Sequence, residues 1–113
     1  MEIYTPEVIL MKIIYTTFPN EKDAKEITKK LVEEKLIACG NIFPIKSFYY
    51  WENSLQEDEE YAAVLKTKDS VVDEAVERLK ELHPYTAPAI IVFSAELKSE
   101  NYAKWMDEVV KTD

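Results

Sequence analysis

The feature that most constrains the fold is the order in which strand-like and helix-like segments follow one another. Apolar, β-branched runs predict strands at residues 8–16, 36–51, 60–67 and 89–93. Apolar residues at helical spacing predict helices after the first, third and fourth of these strands. The order β-α-β-β-α-β, followed by a C-terminal helix, predicts an α+β fold of the ferredoxin-like split βαβ type, with helices covering one face of an antiparallel sheet.

Capping residues predict where the helices begin. Asn20 is followed by Asp23, and Ser70 by Asp73, so each pair places an N-cap oxygen before an acidic residue in the first helical turn. Ser99 is a third candidate N-cap. These signals predict helix starts just after residues 20, 70 and 99.

The second and third strands predict a long β-hairpin. The turn lies at residues 52–54, where Asn53 tolerates a positive φ, and Pro44 predicts a bulge, a break or an edge position because it cannot donate to a ladder. The aromatic run Phe48-Tyr49-Tyr50-Trp51 puts large rings on both faces of one strand. Large uncovered rings usually mark an interface, so we expect this end of the hairpin to contact another subunit. The alternative is that the tyrosines only expose their hydroxyls to water.

Composition narrows the class of protein. A chain of 113 residues with 47% hydrophobic residues predicts one domain with a real core. The net charge of −8 argues against binding to nucleic acid or to anionic membranes. Gly40 is the only glycine, which excludes P-loops and dinucleotide fingerprints, and we expect no organic cofactor. With Cys39 as the only cysteine and no signal peptide in the sequence, the cytoplasm is the expected location.

Two residues are candidates for metal binding. His83 is the only histidine and lies at a corner fixed by Pro84, where a helix should end. It is either a ligand or simply part of a helix stop. Cys39 is either a second ligand or a small buried apolar residue. The acidic run at residues 57–60 either holds a hard cation or is a solvated strand entry.

Five short motifs occur in order between the predicted elements. They read YTTFPN at 15–20, LIACGN at 36–41, YYWE at 49–52, LKT at 65–67 and LHPYTAP at 82–88. Together they resemble the CutA family of divalent-cation tolerance proteins, over about residues 11–106. We therefore expect a single CutA-like domain at 11–113, with 1–10 as an N-terminal extension or the start of the first strand.

The resemblance implies a function and an assembly. CutA proteins form tight homotrimers in which long hairpins interlock, and they are associated with copper tolerance and copper binding. Members that carry a cysteine at Thr16 and a second histidine at Leu82 differ from this chain, so of their proposed copper ligands only His83 is present. The expected function is a non-enzymatic response to divalent metal ions, with Cu(II) or another divalent cation held by His83 and Cys39.

The resemblance also leaves an alternative function open. CutA proteins are similar in fold and assembly to the PII signalling proteins, which implies a small anion or metabolite bound in clefts between subunits. The residues expected at such a cleft or at the subunit interface are Tyr49, Tyr50, Trp51, Lys66 and Tyr85. An enzyme reading would pair Cys39 as nucleophile with His83 as base, but no activating motif surrounds Cys39.

Overall fold

The protein is described by a computed structural model that covers residues 8–112. Within them a four-stranded antiparallel sheet has the order β2-β3-β1-β4, which confirms the predicted α+β ferredoxin-like fold. The elements in chain order are β1 (Ile9–Phe18), α1 (Glu21–Glu33), β2 (Cys39–Trp51), β3 (Ser54–Thr67), α2 (Val72–Leu82), β4 (Ile90–Leu97) and α3 (Glu100–Val109).

The core forms between one face of the sheet and the helices. Ile14 on β1 is paired with Leu65 on β3, and both are fully buried. Leu31 of α1 and Leu79 of α2 belong to the same buried cluster. Because strand side chains alternate, the residues between these positions face the opposite side of the sheet, which we call the outer face.

The β2–β3 hairpin extends well beyond the rest of the sheet. Its ladder runs without interruption from the pair Cys39 and Lys66 to the pair Trp51 and Ser54, whereas β1 reaches only as far as Tyr61 of β3. We call residues 45–60, which have no pairing with β1, the overhang. It makes the molecule long and narrow, with extents of 64 × 30 × 21 Å.

The hairpin turn and Pro44 behave as the sequence indicates. Glu52 and Asn53 have φ values of 50° and 65°, which are the left-handed conformations that a tight two-residue hairpin turn of type I′ requires. Pro44 lies on β2, an edge strand of this sheet, within a regular ladder. Of the three options for Pro44, the structure therefore selects the edge position.

The helix starts are correct at two of the three predicted caps. The side chain of Asn20 accepts a hydrogen bond from the Asp23 N–H at 2.8 Å, and that of Ser99 from the Tyr102 N–H at 3.2 Å. The Ser70 cap is wrong, because α2 has Val71 at its N-cap position and no side-chain cap bond. A backbone turn from the Val71 N–H to the Lys68 carbonyl leads into this helix instead.

Some strand limits also differ from the prediction. Residues 36–38 precede β2, although the Ala38 N–H donates to the Lys66 carbonyl and the Thr67 hydroxyl to the Leu36 carbonyl. Strand β3 begins at Ser54 instead of residue 60, since the acidic segment 57–60 pairs fully with β2. Cross-strand pairing there outweighs the weak strand preference of acidic residues.

The N-terminal boundary stays a prediction. Residues 1–7 lie outside the described part of the chain, so the expected extension at 1–10 is not tested there. Ile9 and Leu10 belong to β1 and pair with β4. Among residues 8–112, each helix is too short or too polar to cross a membrane.

Candidate functional site

His83 lies where α2 ends and is 8% exposed. Its Nδ1 accepts a hydrogen bond from the Tyr85 N–H at 3.1 Å, so the proton of the neutral ring is on Nε2. Nε2–H donates to the Thr17 carbonyl at 2.8 Å. The ring also stacks on Phe18, with centroids 4.8 Å apart. Both nitrogens of His83 therefore hold the chain that follows α2 against β1.

Burial determines the charge of this histidine. Desolvation lowers the pKa of His83, while the bond to the Thr17 carbonyl and the charges of Asp23 and Glu60 oppose that shift. The ring is therefore neutral near pH 7. Its one lone pair, on Nδ1, already accepts the Tyr85 N–H, so metal binding by His83 requires that this bond break.

Cys39 lies at a different level of the sheet. It begins β2, is half-buried and pairs with Lys66, which in turn pairs with Ile13 on β1. Ile13 lies three positions before Thr16, whose hydroxyl is 3.3 Å from Nε2 of His83, so the levels of Cys39 and His83 differ by about 10 Å along the strand. Burial and the neighbouring Cys39 raise the pKa of Tyr102. Cys39 is thus next to α3 and not next to His83.

The positions of His83 and Cys39 bear on whether one subunit can bind a metal ion. Residues 8–112 contain no group of three or more His, Cys, Asp or Glu side chains arranged to hold a metal ion. A protein metal site usually needs about three or four converging ligands. A single subunit, over its described residues, therefore does not supply a fitting site, and the roles of His83 and Cys39 as ligands stay predictions.

A cleft of about 520 Å³ opens beside His83. It lies where the overhang meets the end of β1 and the chain after α2, and we call it the Trp51 cleft. Its lining consists of Thr17, Tyr49, Trp51, Glu60, residues 84–87 and Ala89. Pro84, which fixes the corner after His83, thus also shapes one wall of the cleft.

Two tyrosine hydroxyls in the cleft are bonded to carboxylates. The Tyr85 hydroxyl donates to Oε2 of Glu60 at 2.5 Å, and the Tyr49 hydroxyl donates to Asp58. Burial and the bond to Glu60 raise the pKa of Tyr85, and the bond to Asp58 raises that of Tyr49. Both hydroxyls therefore remain protonated donors, and the charge in this region is negative.

The structure brings together only some of the expected cleft residues. Tyr49, Trp51 and Tyr85 line the same cleft. Tyr50 alternates to the other face of β2 and is 75% exposed. Lys66 pairs with Cys39 at the far end of the hairpin and does not line the cleft.

Glu60 is the charged residue of the cleft, and the sequence does not distinguish it from the other acidic residues of the run 57–60. The run as a whole predicts either a cation site or a solvated strand entry. Strand alternation would have divided that run, because Asp58 and Glu60 share the outer face while Glu57 and Glu59 face the other side. The partner of Glu60, Tyr85, is 25 residues away along the chain and gives no local signal.

The fold and this site define a class: a ferredoxin-like α+β protein with a long hairpin and an aromatic, acidic cleft along the outer face of that hairpin. Residues 12–109 match the family described as CutA1 divalent ion tolerance protein. The chain belongs to this CutA1 family, and the resemblance read from the motifs is confirmed.

Individual relatives agree with this assignment. A divalent-cation tolerance protein CutA from Pyrococcus horikoshii is 46% identical over 101 residues, which are 89% of this chain and 99% of the relative. The crystal structure of CutA1 from Pyrococcus horikoshii matches with a TM-score of 0.86 at 44% identity, covering 89% of this chain and 99% of that one. A structure described as a periplasmic divalent cation tolerance protein CutA, from Archaeoglobus fulgidus, has a TM-score of 0.84 at 39% identity, over 89% and 99% of the two chains.

Proposed function

We propose that this protein is a homotrimer that acts in the response to divalent metal ions, with Cu(II) as the first ion to test. The observation that carries the proposal is the CutA1 family match over residues 12–109. The PII-like signalling alternative gains no support from the relatives described above, whose names refer to cation tolerance.

The exposed apolar residues of the sheet support an assembly. Ile91 and Phe93 pair with Tyr15 and Ile13 on the outer face, and they are 53% and 48% exposed. The overhang adds further exposed large side chains on both of its faces, namely Phe48, Tyr49, Tyr50, Trp51 and Leu55. Patches of this kind typically mark protein interfaces. A trimer would cover the outer face of one sheet with its neighbours and give the overhang a surface to pack on.

The metal-binding part of the proposal concerns ligands shared between subunits. One subunit does not bring three ligands together within residues 8–112, whereas a trimer repeats every ligand three times. His83 and Cys39 are the candidate ligands for the test. A role for His83 additionally needs its Nδ1 atom released from the Tyr85 N–H.

Calorimetric titration of the metal-free protein with Cu(II) tests this part. Light scattering on the same sample gives the mass of the assembly. We expect a mass of three chains, saturable uptake at a simple ratio per chain, and loss of that uptake in Cys39→Ser, in His83→Gln or in both. Weak uptake that does not saturate would reflect scattered carboxylates and would contradict copper binding by this protein.

The protein is further proposed to have no catalytic activity. The supporting observation is that Cys39 lies two strands away from β1, where Thr16 contacts His83, and is offset from Thr16 by about 10 Å along the strand direction, so His83 cannot act as a base for the thiol. Slow labelling of Cys39 by iodoacetamide at pH 7 is the expected result, since reactive cysteines have a lowered pKa and label fast. Rapid labelling at that pH would contradict the non-enzymatic function.

We also propose a cytoplasmic location, because the only cysteine of the sequence is unpaired. Fractionation of cells that make the full-length protein tests it. Recovery in the periplasm or outside the cell, as the description of the Archaeoglobus fulgidus relative would suggest, would contradict it.

A further inference from the structure

The outer face of the sheet carries its charged residues on one strand. Alternation with the fully buried Leu65 places Asp58, Glu60 and Lys66 of β3 on this face. The outer-face positions of the described strands β1, β2 and β4 hold no charged residue. The face that a trimer would cover therefore has one cation and two carboxylates.

Lys66 lies in an apolar part of this face. It pairs with Ile13 of β1, which pairs in turn with Phe93 of β4, and Val64 precedes it on the same face. Lys66 is half-buried, and among residues 8–112 its ammonium group has no ion-pair partner. A subunit that covers Ile13 and Phe93 also covers Lys66, and a buried ammonium group without a counter-charge is costly.

The two carboxylates lie at the other end of the face, on the overhang. Glu60 is six positions before Lys66, which is about 20 Å along a β-strand, so the two side chains cannot pair within one chain. Glu60 accepts a hydrogen bond from the Tyr85 hydroxyl, and Asp58 accepts one from the Tyr49 hydroxyl. Because an ionised carboxylate accepts several hydrogen bonds, both retain acceptor sites for a cation.

The symmetry of a trimer allows these separated charges to meet. In a closed ring of three chains each interface is heterologous, which means that one patch of a subunit contacts a different patch of the next subunit. Each chain supplies a cation at one place on its outer face and carboxylates at another. The same ion pair can therefore form three times, once at each interface.

From this arrangement we infer that Lys66 of each subunit forms an ion pair with Glu60 of the next subunit, inside the interface that covers the outer face. Glu60 is nearer to the body of the sheet than Asp58, which adds a second negative charge beside the pair. Charged groups in an interface fix its register, so this pair determines how the sheets of two subunits are aligned. The inference rests on the homotrimer proposed above and names residues that join its subunits.

Charge reversal in the full chain tests the pair. Light scattering first gives the mass of the unmodified protein, and native mass spectrometry then follows subunit exchange between isotopically labelled and unlabelled trimers. We expect Lys66→Glu and Glu60→Lys each to speed exchange at least about tenfold, because removing one partner of a buried ion pair acts mainly on dissociation. The variant that carries both changes restores the pair in reverse, and its exchange should return to within about threefold of the unmodified rate.

Matched variants separate the pair from net charge. Lys25→Glu and Glu33→Lys make the same changes at exposed positions of α1, on the other side of the sheet, and should alter exchange by less than about twofold. Glu60→Lys gives the sharpest contrast, because it makes a chain of net charge −8 less negative. Weaker repulsion between subunits would slow exchange, whereas loss of the ion pair speeds it.

Neutral variants cover the case in which a reversed charge prevents folding. Lys66→Gln and Glu60→Gln remove the charges, and the second keeps an acceptor for the Tyr85 hydroxyl. If the two residues pair, the double change should speed exchange no more than the larger of the single changes, since the second change has no pair left to remove.

Two results would overturn the inference while leaving the homotrimer in place. One is a protein of three chains in which Lys66→Glu and Glu60→Lys exchange no faster than the α1 controls. The other is additive effects in both double variants, which would show that Lys66 and Glu60 act separately. A mass of one chain for the unmodified protein would instead contradict the homotrimer itself, and the inference with it.

Discussion

The body of the sheet and the overhang carry similar apolar side chains and differ in what covers them. Phe18 in the body is fully buried beneath the helices, whereas Phe48 in the overhang is 62% exposed. Both lie on regular antiparallel strands with alternating side chains. The comparison teaches that strand pattern alone does not give burial, because the covering layer must also be present. In the body α1 and α2 supply it, and in the overhang we propose that other subunits do.

The largest expected effect distinguishes these two phenylalanines. Phe18→Ala should lower the free energy of unfolding by about 3–5 kcal/mol, because it leaves a cavity in a packed core. Phe48→Ala should lower the stability of the separate chain by less than about 0.5 kcal/mol, as is usual for exposed positions. Guanidinium unfolding at low protein concentration measures both values.

The same pair of variants tests the assembly. If the overhang packs on neighbouring subunits, Phe48→Ala should reduce the mass seen by light scattering at a concentration where the unmodified protein stays assembled. If both variants lose the same free energy of unfolding and neither changes the mass, the contrast between body and overhang is wrong.

A smaller effect is expected at Gly40, where β2 enters the body. A Cβ added there would lie 2.3 Å from Cγ2 of Thr28 on α1. Gly40→Ala should therefore cost about 1–3 kcal/mol through overpacking. Adding Thr28→Ser, which removes that methyl group, should recover most of the loss. Urea unfolding measures both variants. If Thr28→Ser does not restore stability, the strain does not come from the Thr28 methyl group.

The corner at His83 should make stability depend on pH. Its pKa is lowered in the folded state by burial, so the unfolded chain binds the proton more readily. The stability that depends on a neutral His83 ring is fully present above the ordinary histidine pKa of about 6.5. It is lost as the pH falls from that value through the lower pKa of the folded state. We expect Tm to fall between pH 7 and pH 5, and to fall less in His83→Phe. If Tm falls equally with pH in the unmodified protein and in His83→Phe, the loss of stability comes from other titrating groups.

The smallest expected effect is at the tip of the overhang. Glu52 and Asn53 both have positive φ, a conformation that the pair Asn-Gly adopts with less strain. The double change Glu52→Asn and Asn53→Gly should raise stability by less than about 1 kcal/mol. A thermal melt measures this gain, and a loss of stability would show that the Glu52 side chain has a role beyond the turn.

Most of the fold could be predicted from the sequence, whereas the site could be predicted only in part. The strands, the helices, the turn at Asn53 and the cap at Asn20 follow from local patterns, which act between residues a few positions apart. The predicted cap at Ser70 is wrong because a capping motif competes with a backbone turn, and this chain adopts the turn. The sequence places Tyr49, Trp51, Tyr85 and Lys66 at a cleft or interface between subunits, which stays a prediction. Within one subunit the first three line a common cleft, whose charged residue is Glu60 and not Lys66.

By itself the sequence determined the order of elements, the family and the rigid corner at His83, because periodicity, turn residues and motifs are properties of neighbouring positions. The tertiary structure decided what that corner does. The His83 ring bonds to Thr17, 66 residues away, and Tyr85 to Glu60, 25 residues away. Contacts of this range depend on how the strands and helices pack, and packing sets both the charge of the cleft and the occupied lone pair of His83.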